Sequence, residues 1–171
     1  METWDAITSR RAVRSFTDQP IEDQDLDRIL EAGRRAPSSM NQQRWDFVVV
    51  TGRERLEQLS KVWRYGRHVA SSAATVTLIT PQSDDAHELV SIAFDLGQAV
   101  VSMMIAAADR GIGSCHSSVY DEELARSLLG YPGDRRCDYL VAFGYPADRP
   151  VKPLKSPKRR PFADLVHRHR W

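Results

Sequence analysis

Residues 87–110 read HELVSIAFDLGQAVVSMMIAAADR, with apolar side chains on most faces of the second half and Gly111 placed to end the run. A helix of that length that is apolar all round must be a central one, with the other elements wrapped about it. Gly97, Ala99, Ala106, Ala107 and Ala108 are small enough to let another helix approach closely, either across a subunit interface or within one chain. At 171 residues and 42% hydrophobic, the chain suffices for one compact domain built around this helix, spanning 1–171.

The flanking sequence alternates helix and strand signals. Thr3 can cap a short helix through Ser9, and Leu26, Ile29, Leu30 and Gly33 mark a helix from Glu22 to Arg35 with its acids first and its arginines last. Pro37 with Ser38 and Ser39 stops that helix in a loop. Phe47–Thr51 reads as a buried strand closed by Gly52, Arg53–Trp63 as helix, and Thr75–Thr80 as a strand ended by Pro81. After the central helix, Gly111–Ser118 reads as a glycine-containing loop. A helix capped by Asp121 and ended by Gly130 follows, then a strand over Asp138–Gly144. One sheet with helices on both faces is the economical architecture. The tail from Pro161 to Trp171 carries Phe162, Leu165, Val166 and Trp171 with nothing left in the chain to pack against locally, so it covers its own sheet edge or a partner's.

The net charge of +1 conceals a polarised chain: Val151–Trp171 holds seven Lys/Arg against one acid, while the first 150 residues hold 17 basic and 22 acidic residues. Such a distribution favours a local anionic ligand over a nucleic-acid surface, because aromatic residues are not interleaved with the tail's charges except Phe162 and Trp171. Cys115 and Cys137 are far apart with no CxxC or Cys/His spacing, so they read as small buried thiols. The N-terminus lacks a signal-peptide pattern and no apolar run approaches the ~18 residues of a membrane span. A cytoplasmic location without membrane contact is therefore expected.

Three arginines fall within five residues at Arg10, Arg11 and Arg14, and Lys158-Arg159-Arg160 forms a second compact cluster. The planar guanidinium fork suits bidentate recognition of phosphate and carboxylate. The same arginines also suit a solvated helix end, where cations complement the carbonyl dipole. GIGSC is not a dinucleotide fingerprint, since it follows a helix where that fingerprint follows a strand. Asp95, alone in an apolar helix, reads as a satisfied buried group holding the loop that follows another helix.

Four separated stretches together resemble the FMN-dependent nitroreductase family: RRAVRSF from Arg10, RAPSSMNQQRW from Arg35, DLGQAVVSMMIAAADRGIGSC from Asp95, and KRRPFADLVHRHRW from Lys158. The resemblance covers nearly the whole chain. It implies an α+β fold with a central mixed sheet flanked by helices, in an intertwined homodimer whose C-terminal segment reaches the partner's sheet. Two FMN molecules then lie at the dimer interface. By this resemblance Arg10 and Arg11 face the FMN phosphate and ribityl chain, Ala12 stands at a contact position that usually carries a hydroxyl, and Arg14 reaches the pyrimidine edge of the flavin. Lys158 and Arg160 match the pair that closes on the same phosphate. Ser38, Ser39 and Asn41, with Arg35, match contacts from the partner chain. Cys115, His116, Ser117 and Ser118 match a loop over the isoalloxazine.

A flavin brings its own reactivity, so no catalytic triad is required and no side chain is assigned as catalytic. The implied activity is hydride transfer from NAD(P)H through flavin N5 to nitroaromatic, quinone or related small-molecule acceptors by ping-pong exchange, with Arg14 tuning the flavin. The alternative is a flavin-storage protein of the same fold with little turnover. Arg44 departs from the family's proline before the tryptophan, and His116 replaces a large apolar residue. The short connection Gln82–Ala86 replaces an excursion that roofs the pocket in larger relatives. The Trp63, Arg64, Tyr65, Arg67, His68 cluster is open to two readings, a wall of the acceptor pocket or an ordinary helix end.

Overall fold

The structure, a computed structural model, describes all 171 residues. Its helices are α1 (Thr3–Ser9), α2 (Asp23–Arg34), α3 (Arg53–Leu59), α4 (Arg67–Ala70), α5 (Ala86–Asp109) and α6 (Glu122–Leu129). The strands are β1 (Asp46–Thr51), β2 (Ala74–Pro81), β3 (Gly113–Ser118) and β4 (Arg135–Gly144), in the sheet order β1-β2-β4-β3. All three strand pairings are antiparallel, and the parallel component of the expected mixed sheet is a single bridge from Ala12 to Ser114.

Helices cover both faces, so each inner strand feeds two cores in alternation. On β4, Val141 and Phe143 join Ile29, Leu96, Met103 and Ala107 beneath α2 and α5. Leu140 and Ala142 point the other way, to Val13, Phe16, Leu56, Leu59 and Ala125. Between Leu78 and Ile79 of β2 the register skips Asp138 on β4, and this bulge lets Cys137 and Leu140 of β4 serve the same core although their spacing is odd. The α2–α5 contact depends on Gly33, where an added Cβ would lie 2.8 Å from Met103 Cγ.

Several local expectations are corrected. Thr3 is the first residue of α1, not its cap; Glu2 holds that place without a side-chain bond. The β1 strand lies at the sheet edge with only Val50 buried, because no neighbour covers its far side. Gly113–Ser118 is strand β3 and not a loop; small side chains hid its β character, and pairing with β4 supplies what propensity lacked. Asp121 does cap α6, accepting from Leu124 N at 2.9 Å, and left-handed Gly130 closes it.

The central helix also differs from its sequence reading. By length and composition α5 does suffice to cross a membrane. Instead it packs on α2 and the sheet and carries Asp95, which is 1% exposed. The helix is not buried all round, since Val90 and Phe94 are each 69% exposed and Val101 is 43% exposed. These three positions, four and seven residues apart, lie along one apolar stripe. Among the small residues, Ala99, Ala107 and Ala108 serve the intrachain core, while Gly97 faces an open groove with Ala93, Val100, His116 and Tyr139.

Candidate flavin site

After α1 the chain runs extended beside β3. Val13 N donates to Ser114 O at 2.9 Å, and Ala12 bridges the same residue. Gly113 makes this approach possible: an added Cβ there would lie 2.6 Å from Val13 Cγ2. In an extended segment alternate side chains point to opposite sides. Val13 is 1% exposed and Arg11 turns the same way, its side chain 11% exposed. Ala12 and Arg14 are exposed and Arg10 half-exposed on the other side.

The three arginines therefore divide differently from the sequence pairing of Arg10 with Arg11. Arg11 Nη2 donates to Asp148 Oδ1 and to Arg149 O, each at 2.7 Å, and thereby clamps the segment after β4 to the N-terminal strip. It holds the Asp148 carboxyl below its ordinary pKa. Arg10 and Arg14 form no ion pair.

The same clamp brings the basic tail alongside Arg11. Thr17 N donates to Tyr145 O, Ala147 N to Ser15 O and Leu154 N to Thr8 O, so residues 145–154 run back along 8–17. As a result Arg11, Arg149, Lys152, Lys155 and Lys158 line one groove. Lys158 has no acidic partner, and Arg160 Nη2 donates to Asp164 O at 2.9 Å.

The Arg14 charge acts on both Cys115 and His68. Burial pushes the Cys115 thiol up, against the opposing pull of Arg14. Burial lowers the His68 pKa, the Tyr65 carbonyl opposes this, and Arg14 and His116 add to the lowering. His68 Nε2 is buried without a partner. The sequence placed His68 only in a mixed cluster; the structure buries it, while Trp63 packs edge-on to Tyr65 at 5.1 Å and parallel to Tyr120 at 6.4 Å. His116 is exposed, while Ser114, Cys115 and Ser117 turn into the fold and Ser118 is half-buried.

The remaining predicted residues lie elsewhere in the chain. Arg35 Nε donates to Glu31 Oε1 at 2.5 Å, one turn back on α2, and Arg34 binds the same carboxylate, which holds Glu31 down at about 2. Ser38, Ser39 and Asn41 form a tight turn over α5, and no hydrogen bond or ion pair joins it to the Arg10–Arg14 strip. Asp95 anchors the turn as the sequence predicts: its carboxylate accepts from Ser39 N at 3.0 and 3.1 Å and from Ser39 Oγ at 3.3 Å. Arg44, noted in sequence only as a departure from proline, reaches the same carboxylate at 3.6 Å.

A model of the Nitroreductase family matches residues 7–72 and 62–145. The chain belongs to the nitroreductase family. A relative in Archaeoglobus fulgidus, whose name joins NADH dehydrogenase with NAD(P)H nitroreductase, is 31% identical over 169 residues, 96% of each chain. The FMN reductase [NAD(P)H] of Bacillus subtilis is 25% identical, covering 90% of this chain and 69% of its own. The crystal structure of nitroreductase A from Vibrio parahaemolyticus superposes with a TM-score of 0.85 at 26% identity, covering 97% of this chain and 74% of that one. The connection between β2 and α5 here spans only residues 82–85.

Proposed function

We propose that two copies of this chain build two FMN sites and pass hydride from NAD(P)H to small oxidised acceptors, nitroaromatics and quinones among them, by ping-pong exchange. That the protein is an NAD(P)H-dependent oxidoreductase with FMN as its cofactor follows from its family and from relatives named FMN reductase and NADPH-flavin oxidoreductase. The observation that carries the site assignment is the outward row of Arg10, Ala12 and Arg14 along β3, whose two cations have no carboxylate partner. Unneutralised guanidinium groups are costly to gather without an anion, so the donor set fits a phosphate joined to a polar-edged ring.

Within this site Arg10 and Lys158 hold the phosphate, and Arg160 adds to them. Arg11 acts one step back, pinning the tail that carries Lys158. Arg14 would face the ring, and a fixed cation there would stabilise the negative charge of its reduced form and favour hydride acceptance. The short side chains of β3 would leave room for the ring beside the exposed His116. FMN, when bound, supplies the atom that takes hydride from the nicotinamide and returns it to the acceptor.

Dimerisation is supported by three features of one chain. Val90, Phe94 and Val101 leave an apolar stripe on α5 uncovered. The β1 edge is unpaired, whereas the far side of β3 is taken by the Ala12 bridge. The tail carries Phe162 at 74% and Trp171 at 98% exposure, apolar area that an open edge on a second copy can cover. Ser38, Ser39 and Asn41 then reach the flavin of the other copy.

The decisive experiment is the spectrum of the purified protein followed by anaerobic mixing with NADH and NADPH. A flavin spectrum that bleaches on mixing supports the enzyme, and a stable flavin spectrum supports storage. Arg10→Ala and Lys158→Ala should each weaken FMN binding by about 1.5–3 kcal/mol, the scale of a charge-assisted contact. Undiminished affinity after both changes contradicts the phosphate assignment.

A further inference from the structure

The turn between α2 and β1 is the most strained stretch of the chain. Met40, Asn41 and Gln43 have φ of 49°, 55° and 50°, three of the four non-glycine residues with positive φ. Left-handed backbone is unfavourable for side chains with a Cβ and persists only where the surroundings over-determine it. Met40 is 86% exposed, so its conformation is not set by its own packing.

The determining contacts come from below. Asp95 accepts both Ser39 donors, and Ser38 Oγ accepts from Gln43 N at 2.9 Å. Ser91 Oγ donates to Ser39 Oγ at 3.1 Å. Arg44, its side chain 15% exposed, donates to Ser91 Oγ at 2.7 Å and to Glu88 Oε1 at 3.3 Å, and faces Asp95 at 3.6 Å. Its Nε is buried without a partner. A proline at 44 would push residue 43 toward extended backbone and oppose φ of 50° at Gln43. The arginine and the left-handed turn therefore belong together.

We propose that Arg44 and Asp95 are positioning residues that hold the Ser38–Gln43 turn preformed, so that its polar groups meet the flavin of a second copy without having to be ordered on binding. The inference rests on the two-copy FMN site proposed above. Loosening the turn should weaken FMN binding without unfolding the protein, because the ordering cost then falls on the binding step.

The test is FMN titration of the apo-protein, followed by flavin fluorescence, with melting curves alongside. Arg44→Met should bind FMN about ten-fold more weakly, the scale of one lost polar contact, while still melting cooperatively. Adding Met40→Gly should recover much of that loss, since glycine takes up the left-handed shape without the anchor. A purely structural role for Arg44 would not be rescued from an exposed position. If Arg44→Met loses its cooperative melt, Arg44→Lys carries the test: it keeps one charge, cannot reach Glu88, Ser91 and Asp95 together, and should weaken FMN and respond to Met40→Gly in the same way. Unchanged affinity in these variants, or a loss that glycine does not relieve, overturns the proposal. Failure of the wild-type protein to bind FMN overturns the two-copy reading first, and this inference with it.

Discussion

Replacing Gly113 with alanine tests how the arginine strip is held on the sheet. The added methyl would lie 2.6, 2.8 and 2.9 Å from Val13 Cγ2, Cβ and Cγ1, all inside normal contact distance. Val13 cannot turn away easily, because it is β-branched and only 1% exposed. Relief must come from moving the strip off β3, which costs about 2 kcal/mol as overpacking and lowers the melting temperature by about 4–8 °C in a chain of this size. Val13→Ala alone also costs about 2 kcal/mol, from two methyl groups at about 0.8 each and a small cavity. Together, however, the substitutions exchange volume across one contact, so the double variant should lose only about 2 kcal/mol, well short of the sum. Chemical denaturation of the four proteins gives the coupling directly. FMN titration of the same set should show Gly113→Ala weakened and the double variant partly restored, because Arg10 and Arg14 flank Val13. Additive losses within about 0.5 kcal/mol would show that Gly113 and Val13 do not set the strip's position.

Other consequences follow from the same geometry. Because Arg11 depresses the Asp148 pKa, their pairing stabilises the fold above the ordinary carboxyl value of 3.8 and is lost as pH falls through the lowered one; Arg11→Met should remove this acid-range component from stability measured against pH. Arg14→Gln should retain FMN but lower its midpoint potential in an anaerobic dye titration, and an unchanged midpoint would remove Arg14 from the redox chemistry. Phe94→Glu places a charge on the α5 stripe and should convert a dimer to a monomer in sedimentation analysis, with FMN retention falling in parallel. A dimer of unchanged strength would show that the subunits meet elsewhere.

Much of the fold was legible in local signals. The periodicity of Leu26, Ile29, Leu30 and Gly33 marks α2, and Asp121 with Gly130 brackets α6, because caps and period act within a few residues. The β3 strand was not legible: Gly113-Ser114-Cys115-His116-Ser117-Ser118 has little strand propensity, and its pairing partners lie some twenty to thirty residues further on. The exposed side of α5 escaped for a related reason, since an apolar helix announces that it will be covered but not by which chain.

The candidate site divides in the same manner. A long central helix within an α+β fold, cations gathered at both ends, and four ordered motifs that resemble those of the nitroreductases could all be read from the order of the residues. Asp95 as the anchor of the Ser38–Asn41 turn was within its reach as well. The division of roles among the arginines came from folding, because alternate residues of an extended strip are sorted by the surface on which they lie. Beside β3 that surface sends Arg11 inward to Asp148 and leaves Arg10 and Arg14 unpaired. Nor could the sequence reveal that Arg44 supports a left-handed turn from below, since its partners Glu88, Ser91 and Asp95 are brought to it only by the packing of α5.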